Sequence, residues 1–143
     1  MPYTIKIDVF MNGVPPFAIV DQAVHKNEGT WEGKGLFNQT LTLTLNDSGT
    51  AGALLFRRPG NQEACCAVLG VSAYKPWCNV VTGLSSSDTA SDVLDTFYGS
   101  GFRVKGWVQL VEEKKTTSGK ISVHAQFLKV EKDLLHAEVH ITS

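Results

Sequence analysis

Four histidines and three cysteines are the side chains of this sequence that could bind a metal ion or act as nucleophiles. His136 and His140 are four residues apart, the spacing at which two histidines on one helix share a zinc ion. The segment HAEVHIT around them alternates apolar and polar residues, which indicates a strand. On a strand the two rings would lie about 13 Å apart, too far for one ion to bridge. We therefore expect no metal site and no cofactor.

The cysteines raise the possibility of covalent catalysis. Cys78 could act as the nucleophile of a hydrolase if the fold placed a histidine such as His124 beside it. The sequence contains neither a Gly-x-Ser-x-Gly elbow nor a phosphate-binding loop. Cys65 and Cys66 are adjacent, so on a strand they would point to opposite faces and would not pair. We expect three reduced thiols and a protein that is not an enzyme, with the Cys78 hydrolase as the enzymatic alternative.

Two glycine-containing turns favour ligand binding over catalysis. Ser48–Thr50 and Val81–Gly83 lie at predicted strand ends, with Trp77 and Asn79 near the second turn and Arg103 further along the chain. Amide, hydroxyl and guanidinium groups form directional hydrogen bonds with hydroxyls, and tryptophan offers an apolar face. This combination suits a polyhydroxylated ligand such as a sugar. The alternative is structural, since many turns contain glycine and serine and a tryptophan often belongs to the core.

The elements that must position these residues are mostly strands. Alternation in TIKIDV near the N-terminus and in TLTLTL at 40–45 predicts half-buried strands, and turn residues recur about every ten positions. A short helix is expected from Ser87 or Asp88 to about Phe97. The pattern predicts a mainly β fold, an antiparallel β-sandwich, formed by a single domain over residues 1–143.

Net charge and hydropathy limit the kinds of partner and the cell compartment that we expect. The formal net charge of −1 provides no basic surface for nucleic acid, so no nucleic-acid partner is expected. The sequence shows neither a signal peptide nor an apolar stretch long enough to span a membrane, so we expect a cytoplasmic protein.

Several segments resemble the fungal fruit-body lectins of the Agaricus bisporus type. They are PYTIKIDVF at 2–10, GTW at 29–31, GTAGALLF at 49–56, LGVSAYKPWCNVVTGL at 69–84 and DLLHAEVHI at 133–141. The resemblance implies an actinoporin-like β-sandwich of two sheets joined by a short helix-loop-helix segment. It also implies a homodimer or homotetramer that recognises the glycans of glycoproteins or glycolipids and has defensive, agglutinating roles. The N-terminus is a predicted strand rather than an amphipathic helix, so no membrane insertion is expected.

The resemblance further implies two sugar sites. A galactose-type site for galactose-β1,3-N-acetylgalactosamine, the T antigen, would use Lys26, Ser48, Gly49, Ser72 and Ala73. Ser72 and Ala73 replace a histidine and an asparagine of the family, which removes an amide that would bind sugar hydroxyls.

The second implied site would bind terminal N-acetylglucosamine. Asn79 replaces a family aspartate, and Glu113 falls near the position of a family tyrosine, where it could pair with Arg103. The residues of this site would be Asn79, Val80, Val81, Thr82, Arg103 and Glu113.

The stretch around the Tyr-Lys-Pro-Trp-Cys sequence is expected to form a corner. In this interpretation Tyr74, Trp77 and Cys78 pack between a core strand and the helical connection, and the polar groups of 79–82 point outward. The alternative function is the same fold with diverged sites that bind a different glycan, a protein or a lipid head group.

Overall fold

The structure is a computed structural model that describes residues 2–12, 18–33, 40–57, 64–72, 74–85, 87–98, 111–117 and 121–142. Within these ranges the chain forms ten strands, one 3-10 turn at His25–Asn27 and one α-helix. The strands are β1 (Tyr3–Asn12), β2 (Ala18–Val24), β3 (Gly29–Glu32), β4 (Thr40–Leu45), β5 (Thr50–Arg57), β6 (Ala64–Ser72), β7 (Lys75–Leu84), β8 (Glu112–Thr116), β9 (Ser122–Glu131) and β10 (Leu134–Thr142), and the helix is α1 (Ala90–Tyr98).

The strands form two sheets. The six-stranded sheet has the order β3-β4-β1-β10-β9-β8, and the four-stranded sheet has the order β2-β5-β6-β7. Neighbouring strands are antiparallel except β1 and β10, which run parallel. The expected mainly β architecture of two sheets is confirmed.

Alternation along the strands builds the core between the sheets. In β4 the leucines Leu41, Leu43 and Leu45 are buried, while the threonines between them lie on the other face. Strand β6 is buried on both faces, because α1 covers the face that points away from the first sheet. Cys65 therefore packs in the inter-sheet core and Cys66 packs beneath the helix, as expected for adjacent strand residues. All three cysteines are reduced and form no disulfide.

The cap of the helix is Thr89, one residue after the later of the two predicted positions. The Thr89 hydroxyl accepts a hydrogen bond from the Asp92 nitrogen at 3.1 Å, and the Asp92 carboxylate accepts one from the Thr89 nitrogen at 3.0 Å. This reciprocal pair makes Thr89 the cap instead of Ser87 or Asp88. The expected helix-loop-helix segment is not confirmed, since α1 is the single α-helix of the described residues. No helix in this part of the chain is long and apolar enough to cross a membrane.

The segment predicted to form a corner is strand β7. Trp77 and Cys78 are buried as expected, but Tyr74 is 77% exposed, so its assignment to the packed corner was wrong. The expected turn at 81–83 is instead an irregularity within the strand. Ala64 pairs with Leu84 and Cys66 with Val81, so one extra residue is accommodated on β7 beside Gly83, whose φ is +71°.

Candidate functional site

Three loops meet at the end of the four-stranded sheet where β5 begins. They are residues 25–28, residues 46–49 between β4 and β5, and residues 72–75 between β6 and β7, and together we call them the loop platform. The Asn46 nitrogen donates to the Glu28 carbonyl at 2.9 Å, which joins the first two loops. The Tyr74 nitrogen donates to the Ser48 hydroxyl at 3.0 Å, which joins the second and third.

Two more hydrogen bonds fix the platform to the sheet. The Gly49 nitrogen donates to the Val71 carbonyl at 2.7 Å, and the Thr50 hydroxyl donates to the His25 carbonyl at 3.3 Å. Thr50 itself is fully buried. These bonds hold the loops in a single arrangement before any ligand arrives, so the platform is preorganised.

The residues of the implied galactose-type site are brought together here. Lys26 is exposed with a φ of 51°, and Ser48 and Ser72 are half-buried. Gly49 has a φ of +91°, and a Cβ atom at this position would meet no atom within 4 Å. A ligand can therefore approach the backbone closely at Gly49, although the N–H of this residue is already donated to Val71. Ala73 lies outside the described residues.

Tyr74 is a platform residue that the sequence analysis assigned to packing rather than to ligand binding. Its φ is +64°, a region that a bulky residue rarely adopts, and its side chain projects into solvent. Ser72 of β6 pairs with Lys75 of β7, so Tyr74 lies in the short connection between these two strands, where a positive φ is common. Recognition of β7 as a strand would have placed Tyr74 at this exposed tip.

The residues of the second implied site lie on β7. Asn79 is only 4% exposed, and its amide donates to the Cys78 carbonyl at 2.8 Å, while Val80 and Val81 are buried. The expectation that residues 79–82 point their polar groups outward was therefore wrong for Asn79. Thr82 is half-buried, so its hydroxyl lies near the surface.

Glu113 of β8 reaches across to β7. Its Oε1 atom accepts a hydrogen bond from the Val80 nitrogen at 2.7 Å and lies 3.7 Å from the Lys115 ammonium. The Glu113 side chain is 18% exposed, so part of the carboxylate still faces solvent. The fold thus brings together Glu113 and Val80, two residues that the resemblance assigned to one site. The predicted pairing of Glu113 with Arg103 lies outside the described residues.

The geometry around Cys78 contradicts the hydrolase hypothesis. Burial, reinforced by the nearby carboxylates of Glu113 and Glu112, raises the pKa of the Cys78 thiol to about 12. The thiol donates to the Ala125 carbonyl at 3.6 Å, inside the core. His124 points to the opposite face of its sheet, where its Nε2 atom lies 2.6 Å from the Glu112 carboxylate. A protonated, enclosed thiol without a facing imidazole cannot act as the proposed nucleophile.

The paired histidines have carboxylate partners of their own. His136 Nε2 lies 2.7 Å from Asp8 Oδ2, and His140 Nε2 lies 2.8 Å from Glu138 Oε1. Both histidines lie on strand β10, as the sequence predicted. Within the described ranges, no group of three His, Cys, Asp or Glu side chains could hold a metal ion.

Known proteins share both the sequence and the fold. Residues 1–139 match the family model described as fungal fruit body lectin. The chain is 39% identical to the Boletus edulis lectin over 123 residues, which is 82% of either chain. Crystal structures of the Xerocomus chrysenteron lectin superpose on it with 32% identity. The wild-type structure gives a TM-score of 0.85 over 99% of both chains, and a methionine-substituted variant gives 0.86 over 99% of this chain and 98% of the other.

Proposed function

Because the chain belongs to the fungal fruit body lectin family, we propose that it is a carbohydrate-binding, non-catalytic protein with two sugar sites. The loop platform binds galactose-β1,3-N-acetylgalactosamine, and the seam between β7 and β8 binds terminal N-acetylglucosamine. Neither site requires a cofactor. The glycans are those of glycoproteins and glycolipids, and the protein acts in defence by agglutination.

One observation carries the proposal for the loop platform: a largely exposed tyrosine, whose backbone nitrogen is bonded to Ser48, lies in the same group of loops as an open Gly49. The Ser48 hydroxyl oxygen accepts from Tyr74, so its own proton stays available to a ligand oxygen. The Tyr74 ring provides an apolar face against which the C–H groups of a galactose-type sugar can pack. Lys26 adds a cation at the first loop. This combination compensates in part for the missing family asparagine at position 73.

The second site depends on fewer exposed groups. The Thr82 hydroxyl and the solvent-facing part of the Glu113 carboxylate are the polar groups that a sugar could reach on the described residues. Arg103 would complete the site, as the family resemblance implies. The carboxylate favours hydroxyl donors of the sugar, since an ionised oxygen accepts stronger hydrogen bonds than a neutral one.

The same seam favours a second candidate function, in which the sites have diverged. Glu113 already accepts the hydrogen bond of the Val80 N–H, and the Asn79 side-chain amide already donates to the Cys78 carbonyl. A ligand that needs either group must therefore displace an existing hydrogen bond. In this alternative the protein keeps the fold and binds a different glycan, a protein or a lipid head group.

Agglutination requires an oligomer that presents several sugar sites, because single sugar sites bind weakly. The proposal therefore includes a homodimer or homotetramer that resides in the cytoplasm until it is released. Sedimentation of the purified chain measures the assembly, and a monomer at working concentrations would contradict the agglutinating role.

A glycan array that carries T-antigen and N-acetylglucosamine-terminated probes tests the function. We expect both probe classes to bind, with Tyr74→Ala reducing only the first and Arg103→Ala only the second. A blank array from folded, oligomeric protein would exclude both proposed sugars and leave the diverged-site alternative.

A further inference from the structure

The outer face of the six-stranded sheet carries a groove that belongs to neither proposed sugar site. It has a volume of about 370 Å³ and crosses β1, β4, β9 and β10. Asp8, Thr40, Leu134 and His136 contribute to its walls. This volume lies in the range of small-molecule sites, and a sugar of one or two rings would fit within it.

Asp8 is held in one orientation within the groove. Its Oδ1 atom accepts a hydrogen bond from the Thr40 hydroxyl at 2.5 Å, and its Oδ2 atom lies 2.7 Å from His136 Nε2. These two bonds lower the pKa of the Asp8 carboxyl, so it is ionised at neutral pH. Each carboxylate oxygen can accept two hydrogen bonds, so each retains one position for a ligand. Two adjacent acceptors of fixed spacing suit two neighbouring hydroxyl groups.

Apart from His136, which pairs with Asp8, the charges that surround the groove are balanced. Lys6 and Lys129 contribute two cations, Asp8 and Glu131 contribute two anions, and Lys129 lies 2.8 Å from Glu131. An anionic ligand would meet the two carboxylates, and a cationic ligand would meet the two ammonium groups. The balance therefore favours a neutral ligand over a phosphate, a uronic acid or an amine.

An apolar wall lies beside these polar groups. Leu134 lines the groove and is 45% exposed, so it presents an apolar surface to a molecule that enters the groove. A pyranose ring has a hydroxyl edge and a face of C–H groups, and the groove offers a partner for each. We propose that this groove is a third saccharide site, which binds a neutral sugar through vicinal hydroxyls on Asp8 and through its apolar face on Leu134.

The proposal does not depend on the loop platform or on the β7–β8 seam. Nuclear magnetic resonance of the full-length, 15N-labelled chain separates the three locations, because each amide reports its own surroundings. The probes are methyl α-mannoside, maltose and lactose, titrated individually. We expect saturable shifts of the amide signals of Asp8, Thr40 and His136 with at least one probe.

Two variants and a matched control test the assigned groups. Asp8→Asn removes the charge and one acceptor, and we expect about tenfold weaker binding at the groove, the loss typical of a hydrogen bond to a charged group. Leu134→Gln changes an exposed side chain and removes the apolar wall, so it tests the site even if Asp8→Asn misfolds. Glu138→Gln alters another histidine-paired carboxylate on the same strand as His136, outside the groove, and should leave this binding unchanged.

The outcomes separate this proposal from the proposed function. Shifts confined to the loop platform or to residues 79–82 would overturn the third site and leave the lectin sites intact. Shifts at the groove alone would support the third site and count against the other two. If protein concentration moves the Asp8 and His136 signals and no sugar does, the groove is an interface between copies of the chain, and the proposal fails.

Discussion

The Glu113 Oε1 atom lies 2.7 Å from the Val80 nitrogen and accepts its hydrogen bond. Strand β7 is an edge of the four-stranded sheet, and β8 is an edge of the six-stranded sheet. A side chain of one edge therefore satisfies a backbone donor of the other, which has no neighbouring strand on that side among the described residues. Glu113 consequently has a structural role as well as a place in the proposed N-acetylglucosamine site.

The first prediction separates these two roles. Glu113→Ala leaves the Val80 N–H without its acceptor, and we expect the free energy of unfolding to fall by about 1–3 kcal/mol. Glu113→Gln keeps an amide oxygen at the same position, so its loss should be under about 1 kcal/mol. Urea denaturation measures both values.

Binding then isolates the ligand role. If the carboxylate contacts sugar, Glu113→Gln should weaken N-acetylglucosamine binding while stability stays near that of the parent chain. Glu112→Gln is the matched control, since Glu112 pairs with His124 away from Val80. Equal losses of stability for the alanine and glutamine variants would show that the hydrogen bond to Val80 contributes little.

The second prediction concerns Tyr74. Replacement by glycine removes the exposed ring and relieves the positive φ of this position, while the flexible residue raises the entropy of the unfolded chain. These effects oppose each other, so the free energy of unfolding should change by no more than about 1 kcal/mol. Affinity for the T-antigen disaccharide should fall, as measured by titration calorimetry.

Lys132→Gly provides the backbone control for Tyr74→Gly. Lys132 also has a positive φ, of 52°, and lies in the turn between β9 and β10, away from the loop platform. The Lys132→Gly variant should show a similarly small change in the free energy of unfolding. Its affinity for the T-antigen disaccharide should stay that of the parent chain. Unchanged T-antigen affinity in Tyr74→Gly would remove the ring from the proposed site.

Local patterns in the sequence were sufficient to predict most of the fold. The TLTLTL segment specifies its own buried and exposed faces, and the resemblance to known lectins assigned to one site Lys26, Ser48 and Gly49, whose loops the fold joins. Strand β7 was missed because both of its faces are largely covered, which removes the alternation that identifies a strand. The outward assignment of Asn79 failed for the same reason, since a polar side chain was taken to mark a surface position.

Contacts between distant segments could not be predicted from local patterns. Asp8 and His136 are 128 residues apart in the sequence, and they meet because β1 and β10 pair in parallel. The bond from Val80 to Glu113 likewise requires the edges of two different sheets to approach. Neither relationship leaves a periodic signal in the chain.

The third prediction concerns the thiols. Cys65, Cys66 and Cys78 are all buried, and the pKa of Cys78 is raised to about 12, so folded protein should react slowly with Ellman's reagent at neutral pH. All three should react rapidly in denaturant. A single fast-reacting thiol in the folded state, lost in Cys78→Ser, would revive the hydrolase hypothesis.

The fourth prediction is a pH dependence that Asp8 causes. Its hydrogen bonds to Thr40 and then to His136 hold the pKa of the folded state below the ordinary value of 3.8. The carboxylate therefore adds stability that is fully present above about pH 3.8 and is lost as the pH falls through the lowered pKa. Asp8→Asn should lower the free energy of unfolding at neutral pH. Its free energy of unfolding should then fall less steeply in acid than that of the parent chain. Thr40→Val, which removes one of the two bonds, should show part of both effects. Urea denaturation at a series of pH values measures the three profiles, and parallel curves for all three proteins would contradict the role of these bonds.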